Sequence, residues 1–328
     1  MKRKNMTKRV LLILAALVLV LALASVGIGN FLVDYAIGRA GDGGNRQVAL
    51  EVDKTAVESV AVERMANAED QAARTTAFLE KVPQETVEIT ADDGTRLVGA
   101  VMSNDSHRWA IVIHGYRANR WTMMDYAERY HSAGWQVLAP DLRGCGESGG
   151  DFVGMGWPDR LDILRWIDWI IARDGEAQIV LHGVSMGGAT VMMTSGEKTP
   201  DAVKAFVDDC GYTSVWDIFS SELNLRFHLP AFPVLYTASA ISGARAGWDF
   251  MEASALEQVK KCEKPMIFLH GEEDDFVPYS MMAKLYEAKP GDNKQMVSVP
   301  KAGHGMAKSV MGEAYWETVF SFVEQYLD

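Results

Sequence analysis

The chain has 328 residues, of which 48% are hydrophobic and 23% charged, and its formal net charge is -12. This composition is ordinary for a globular enzyme and predicts one principal domain with additions. An acidic chain lacks the basic surface that phosphate contacts require, which excludes nucleic acid as a partner.

The N-terminus joins a basic tail to an apolar segment. Residues 1–9 contain five basic residues and no acid: Lys2, Arg3, Lys4, Lys8 and Arg9. Residues 10–29 contain no charged residue and are long enough to span a bilayer as a helix. Because basic flanks remain in the cytoplasm, we predict a single-pass signal-anchor in the cell membrane with the catalytic body outside. A signal peptide cleaved near Ala22-Leu23-Ala24 is the alternative.

The chain beyond the apolar segment divides into two predicted regions. Residues 30–84 are a juxtamembrane linker with a flexible, Gly-rich exit from the membrane, followed by a helical stretch over Val48–Lys81. Residues 85–328 form the main domain. This domain begins with a hairpin over Val87–Met102, because Asp93-Gly94 is a turn signal between alternating apolar residues.

Apolar strands and helical stretches then alternate along the chain. The predicted strands are Trp109–Ile113, Trp135–Ala139, Gln178–His182, Ala205–Asp208, Met266–His270 and Met296–Val299. The predicted helices are Thr122–Gly134, Pro158–Arg173, Gly187–Ser195 and Glu313–Tyr326. Strict alternation predicts an α/β fold whose mostly parallel central sheet carries helices on both faces.

One segment interrupts the alternation. About residues 211–263 contain no predicted strand and are rich in aromatic side chains. Because a structureless loop of this length is uncommon in a compact domain, we predict a helical cap over a pocket.

The cysteines do not form a metal-binding pattern. Cys145, Cys210 and Cys262 are widely spaced and odd in number, with no CxxC pair. We therefore predict no zinc site and three free thiols, although export from the cytoplasm would permit one disulfide between two of them.

The segment Gly183-Val184-Ser185-Met186-Gly187 follows a predicted strand and precedes a predicted helix. This is the context of a G-x-S-x-G nucleophile elbow, in which flanking glycines let the backbone turn sharply and expose the serine hydroxyl. Ser185 is therefore the candidate nucleophile. Here the chain resembles the α/β-hydrolase family, in which the acid and then the histidine follow the serine.

The resemblance implies an acid after a late strand and a base after the last strand. Asp274 in the segment "FLHGEEDDFVP" is the candidate acid, and Asp208 and Asp209 are the rival acids because some family members place the acid there. His304 in "VPKAGHGM" is the candidate base, being the one histidine that follows Asp274. The histidines before glycines at strand ends are expected to be structural: His114, His182 and His270.

An oxyanion hole needs two backbone N–H groups directed at the developing negative charge. Met186 follows the nucleophile and supplies the first N–H group. The resemblance implies a second donor in the loop "HGYRANRW", where Tyr116 is the first candidate and Arg117 the other.

A dinucleotide-binding fingerprint competes for one glycine-rich segment. Gly144–Gly149 matches G-x-G-x-x-G after a strand, with Asp168 further along the chain. The third glycine of that fingerprint opens a helix, whereas here a loop sequence follows. The longer string Asp141–Ser148 resembles the D-x-R-G-x-G-x-S turn of the hydrolase family, so we expect no cofactor there.

The resemblance is closest to membrane-anchored bacterial α/β-hydrolases with a helical cap. It implies a Ser-His-Asp serine hydrolase without metal or organic cofactor, and the apolar cap favours an esterase that acts on a small acyl ester. A peptidase or amidase that acts on short peptides is the alternative, with Glu222 or Glu252 available to bind a free amine. A non-catalytic binding protein with the same fold is the third hypothesis.

Overall fold

The computed structural model describes residues 2–39 and 58–328 of the chain. Its centre is an eight-stranded sheet. The strands are β1 (Glu85–Thr90), β2 (Arg96–Met102), β3 (Arg108–Ile113), β4 (Gln136–Pro140), β5 (Gln178–Val184), β6 (Val203–Asp209), β7 (Met266–Gly271) and β8 (Lys294–Val299). Each predicted strand is present, and its bounds differ from the prediction by a few residues.

The strand order across the sheet is β1-β2-β4-β3-β5-β6-β7-β8. The β1–β2 and β2–β4 pairs are antiparallel, and every pair from β4 to β8 is parallel. A hydrophobic core lies on each face of the sheet, and successive side chains of β3 alternate between the two. Trp109 and Ile111 belong to one core, and Ala110 and Val112 to the other. Burial on both faces is typical of a parallel sheet covered by helices, and it confirms the predicted fold class.

The helices surround this sheet. They are α1 (Lys2–Ala36), α2 (Glu58–Lys81), α3 (Met124–Ser132), α4 (Asp159–Arg173), α5 (Met186–Ser195), α6 (Val215–Phe227), α7 (Val234–Ala246), α8 (Ala255–Val259), α9 (Ser280–Ala288), α10 (Ala307–Met311) and α11 (Glu313–Val323). Short 3₁₀ helices cover Arg120–Met123 and Glu324–Tyr326. Three helices, α6 to α8, occupy the segment between β6 and β7 that was predicted as a cap; the domain bounds themselves stay predictions.

The predicted hairpin at the start of the main domain is present. Thr90 of β1 pairs with Arg96 of β2, and the Thr95 amide donates a hydrogen bond of 3.0 Å to Asp93 Oδ1 in the turn between them. Gly94 has a φ of 86°, a value that favours glycine. The turn chemistry therefore explains why two apolar runs fold back on each other here.

Helix α1 extends beyond the predicted end of the apolar segment. Residues 10–36 contain an 18-residue window with a mean hydropathy of 3.0 and are long and apolar enough to cross a membrane. The helix continues past residue 29 to Ala36, and Val33 and Ile37 are fully buried against the main domain. The expected flexible exit is therefore wrong for residues 30–39, because this stretch packs on the body. Residues 40–57, which include the start of the predicted helix over Val48–Lys81, lie outside the described residues.

Gly29 marks the place where α1 meets α7. A Cβ atom built on Gly29 would lie 3.0 to 3.2 Å from atoms of Thr237, Ala238 and Ile241. A Cβ atom built on Gly27, half a turn away, would have no neighbour within 4 Å among the described residues. Small residues permit such close approach of two helices, so Gly29 sets the distance between α1 and α7.

We predict that Gly29→Leu destabilises the full-length protein in detergent, whereas Gly27→Leu does not. Both changes gain the same helix propensity, but only the first forces side chains apart, at a cost of about 1–3 kcal/mol. The melting temperature should therefore fall by several degrees for Gly29→Leu alone. Equal melting temperatures for the two variants would contradict the close packing of α1 on α7.

Candidate active site

Ser185 occupies a strained turn between β5 and α5. Its φ is 58° and its ψ is -116°, outside the regions that non-glycine residues normally adopt. A Cβ atom on Gly183 would lie 2.1 Å from the Gly187 carbonyl oxygen, and one on Gly187 would lie 2.0 Å from the Ile113 carbonyl oxygen. Only glycine fits at either position, which is the local reason for the G-x-S-x-G pattern.

The structure brings Ser185, His304 and Asp274 together. His304 lies in the loop after β8, and its Nε2 atom is 2.8 Å from Ser185 Oγ. Its Nδ1 atom is 2.7 Å from Asp274 Oδ2, in the loop after β7. The three side chains thus form one continuous hydrogen-bonded chain, with the imidazole between the hydroxyl and the carboxylate.

Asp274 is held in place by several donors. Its Oδ1 atom accepts hydrogen bonds from the Phe276 and Val277 amides at 3.0 and 2.8 Å. Burial of the carboxyl would raise its pKa, but hydrogen bonds from His270 and His304 outweigh burial and lower the pKa to about 2. Asp274 is therefore ionised at neutral pH.

The two rival acids have other partners. Asp208 Oδ1 accepts a hydrogen bond of 3.0 Å from the Gly211 amide, and Asp209 Oδ2 accepts one of 2.7 Å from the Tyr315 hydroxyl. The Asp209 backbone carbonyl accepts the Ser185 amide at 2.7 Å. Among the described residues, the carboxylate hydrogen-bonded to His304 is that of Asp274.

His114 and His182 are fully buried and bonded to structural groups, as expected. His114 Nε2 accepts the Leu142 amide at 3.0 Å, and burial lowers the pKa of His182 to about 3. Both imidazoles are therefore neutral scaffold groups.

His270 was expected to be structural, but it contacts the candidate acid. Its Nε2 atom lies 3.0 Å from Asp274 Oδ2 and 3.0 Å from the Val277 carbonyl oxygen. Burial lowers the pKa of His270, but the Asp274 carboxylate outweighs burial and leaves the pKa raised. The sequence signal that could have identified this contact is the spacing of four residues between His270 and Asp274 across the end of β7.

The candidate oxyanion residues lie on either side of Ser185. Met186 is the first residue of α5, and the first amides of a helix have no acceptor within the helix. Tyr116 lies in the loop after β3, where a Cβ atom on the preceding Gly115 would lie 3.6 Å from Ser185 Cβ. Arg117, the other candidate, has a φ of 54° and directs its guanidinium to the Tyr35 carbonyl oxygen. The roles of these amides stay predictions.

Ser185 opens into a pocket lined mainly by apolar and aromatic side chains. The cap helices supply Ile218, Phe219, Leu223 and Leu235, among others, and α1 supplies Leu32, Tyr35 and Ala36. Of the two acids considered for amine binding, Glu222 lines the pocket and is ion-paired with Arg226 on the same helix. The Glu252 carboxylate instead accepts the Asp249 amide at 3.0 Å. Glu252 is not among the residues lining this pocket.

The three cysteines are free and buried. Cys210 lies near the candidate site, where its sulfur and the ligand atoms of Asp274 and His304 lie within 4.8 Å of one another. Burial raises the pKa of Cys210 well above its usual value, so the thiol is protonated at neutral pH. A protonated thiol is a poor metal ligand, and the His304 nitrogens are already hydrogen-bonded to Asp274 and Ser185.

The glycine-rich segment Gly144–Gly149 forms a loop closed around Asp141. A Cβ atom on Gly146 would lie 2.2 Å from Asp141 Oδ2, and the same oxygen accepts the Glu147 amide at 2.8 Å. The next helix begins only at Asp159. These glycines therefore serve a tight turn, as the string from Asp141 to Ser148 predicted.

Comparison with known proteins identifies the family of this chain. A family model described as "Prolyl oligopeptidase family" matches residues 121–328, more than half of the chain. The chain belongs to the prolyl oligopeptidase family. Membership in this family confirms the resemblance to α/β-hydrolases and assigns the protein to a family of hydrolases.

Relatives of this family member include uncharacterised and membrane proteins. The uncharacterised protein YqkD of Bacillus subtilis is 28% identical over 229 residues, which cover 70% of this chain and 75% of that protein. The uncharacterised membrane protein YNL320W of Saccharomyces cerevisiae is 25% identical over 201 residues, 59% of this chain and 62% of that protein. The structure of the Pyrococcus furiosus esterase Pf2001 superposes on this chain with a TM-score of 0.61 at 23% identity. The aligned region covers 79% of this chain and 95% of the Pf2001 chain.

The buried Asp208 gives a prediction for pH-dependent stability. Burial raises the pKa of its carboxyl to about 7, whereas an aspartate in an unfolded chain has a pKa of about 3.9. The unfolded state therefore loses the proton first, and the free energy of unfolding decreases as the pH rises from about 4 to about 7.

We predict that Asp208→Asn removes this pH dependence. The difference in melting temperature, variant minus natural protein, should increase between pH 4 and pH 7 and then stay constant. Differential scanning calorimetry checks this, with the exposed Asp275→Asn as a control whose relative melting temperature stays flat over the same range. A flat profile for both variants would contradict the assignment.

Proposed function

We propose that this protein is a serine hydrolase that cleaves carboxylic esters through an acyl-enzyme intermediate. The observation that carries the proposal is the hydrogen-bonded chain Ser185–His304–Asp274, with distances of 2.8 and 2.7 Å, at the end of an apolar pocket. In this proposal Ser185 is the nucleophile, His304 the base and Asp274 the acid that orients it.

The reaction follows from these positions. His304 Nε2 takes the Ser185 proton as Oγ attacks the ester carbonyl carbon, and the ionised Asp274 stabilises the resulting imidazolium. The amides of Met186 and Tyr116 donate hydrogen bonds to the oxyanion. The alcohol leaves with the proton from His304, and water activated by the same imidazole then releases the carboxylic acid.

The pocket favours esters over peptides. Recognition of a peptide's free amine requires a carboxylate near the serine whose charge is not already balanced. The charge of Glu222 is balanced by Arg226 through Oε2, although its buried Oε1 atom has no hydrogen-bond partner among the described residues. Most other lining side chains are apolar, and such a surface binds an acyl chain better than a peptide backbone. A peptidase or amidase with the same side chains is the second candidate, since the family model bears a peptidase name.

We also propose that α1 anchors the enzyme in the cell membrane with the catalytic domain outside. The apolar stretch of 27 residues and the similarity to a protein named a membrane protein support this arrangement. The basic residues before Val10 favour a cytoplasmic N-terminus.

The assigned roles predict a specific ranking of variants. Ser185→Ala should lower kcat for p-nitrophenyl butyrate by about 10⁶-fold, because it removes the nucleophile, and Asp274→Asn by about 10⁴-fold, because it removes the group that orients His304. The rival acid provides the matched control, and Asp208→Asn should keep most of the activity. Fluorophosphonate labelling should be lost in Ser185→Ala, and undiminished labelling would refute the proposed nucleophile.

The ester preference can be measured with a matched pair of substrates. p-Nitrophenyl butyrate and butyryl p-nitroanilide carry the same acyl group, so any difference in kcat/KM reports the ester or amide leaving group. We expect efficient cleavage of the ester and slow cleavage of the anilide. Comparable rates on both substrates would instead assign the enzyme to the amidase class.

A further inference from the structure

The helix that carries the apolar segment also forms part of the candidate active site. Leu32, Tyr35 and Ala36, all from the last two turns of α1, line the pocket that contains Ser185. An anchor that only tethers an enzyme has no reason to reach its substrate pocket. The pocket is therefore incomplete without α1.

Hydrogen bonds from the main domain hold the end of α1 in place. The last carbonyl groups of a helix have no partner within the helix. Here the Tyr116 hydroxyl donates to the Ala36 carbonyl oxygen, the Arg117 guanidinium to that of Tyr35 at 2.6 Å, and the Val153 amide to that of Ile37 at 2.7 Å. The end of α1 is thus attached to the main domain.

An ion pair between α1 and α7 adds to this attachment. Arg245 Nη2 lies 2.6 Å from Asp34 Oδ1. Since Gly29 meets α7 near Thr237 and Asp34 meets it at Arg245, the two helices run in the same direction. The start of α7 therefore lies on the side of the apolar segment of α1.

Several large apolar side chains of α1, of the end of α6 and of the segment between α6 and α7 are exposed. We call them the apolar rim: Phe31, Leu225, Phe227, Leu229 and Phe232. Phe232, just before α7, is the most exposed of them, at 73%. A large apolar patch of this kind on a soluble protein marks an interaction site.

Aromatic rings connect the rim to the pocket. The Phe31 and Tyr35 rings stack at 5.9 Å, and the Tyr35 and Phe227 rings meet edge to face at 6.1 Å. Tyr35 and Phe227 both line the pocket, whereas Phe31 lies on the exposed side of α1. An apolar surface therefore leads without interruption from the anchor into the site.

We propose that the apolar rim rests in the membrane surface and that the substrate is a membrane-resident acyl ester, whose chain enters the pocket from the bilayer along α1. The bilayer is the partner of the apolar rim because the rim is continuous with α1, the helix proposed to span the bilayer. This inference rests on the proposed function and names its substrate class. The ester C–O bond breaks as the acyl–Oγ bond to Ser185 forms, and water later releases a fatty acid.

The inference is tested with full-length protein in phosphatidylcholine vesicles and two p-nitrophenyl esters. The acetate is dissolved in water, whereas the palmitate is incorporated in the vesicles. Phe232→Glu places a charge in the rim, and Leu161→Glu, on α4 and 42% exposed, is the matched control. Phe232→Glu should lower palmitate hydrolysis about tenfold through the lost membrane contact, with acetate hydrolysis unchanged. Leu161→Glu should change neither.

A second set of variants tests whether α1 forms part of the pocket. Leu32→Trp would fill the pocket from α1 and should shift the preferred acyl chain to shorter esters, whereas Ile28→Trp on the exposed part of α1 should leave the preference unchanged. Leu32→Ala, which enlarges the pocket, should shift the preference to longer esters. These shifts are read from kcat/KM for esters of two to sixteen carbons, so a uniformly lower yield of folded protein does not mimic them.

Two results would overturn the inference while leaving the proposed function intact. One is an equal loss of palmitate hydrolysis in Phe232→Glu and Leu161→Glu. The other is an unchanged chain-length preference in both Leu32 variants. In either case fluorophosphonate labelling and acetate hydrolysis persist, whereas failure of the proposed function abolishes both in the natural protein.

Discussion

The candidate site depends on the close approach of three backbone segments at Ser185. The turn before α5 presses against the end of β3, so that Gly187 lies beneath the Ile113 carbonyl. The positive φ of Ser185 costs about 1–3 kcal/mol, and surrounding contacts must offset this strain. The Asp209 carbonyl accepts the Ser185 amide from the neighbouring strand β6, which holds the turn from the other side. The position of Ser185 is therefore set by β3 and β6, the parallel neighbours of β5.

The same sheet edge gathers the remaining groups. Parallel strands end on one edge, so the loops after β3, β5, β7 and β8 meet there although they are far apart in the chain. This brings Asp274 beside His304 and supplies two imidazole donors to one carboxylate. A carboxylate with this many donors stays ionised in a buried setting. Asp208, whose carboxylate accepts one hydrogen bond from the Gly211 amide, instead has its pKa raised by burial to about 7.

Local patterns in the sequence predicted the strands, the hairpin and the elbow at Ser185, because each depends on neighbouring residues. The resemblance to α/β-hydrolases then pointed to Asp274 and His304 by their order in the chain after Ser185. The docking of α1 could not be predicted. Asp34 looks like a solvated charge after an apolar helix, and its partner Arg245 is 211 residues away. The contact of His270 with Asp274 was missed for a related reason, since a histidine before a glycine at a strand end usually bonds to loop backbone.

The end of α1 and the loop after β3 depend on each other. Tyr116 and Arg117 donate hydrogen bonds to the terminal carbonyls of α1, and the same loop carries the amide proposed to bind the oxyanion. The Arg117 guanidinium also donates to the Tyr116 hydroxyl at 2.8 Å, which ties the two side chains into one unit. A helix end that satisfies these donors restricts the loop, and a restricted loop keeps its amides preorganised for the developing charge. The end of α1 is therefore part of the structure that positions the candidate site.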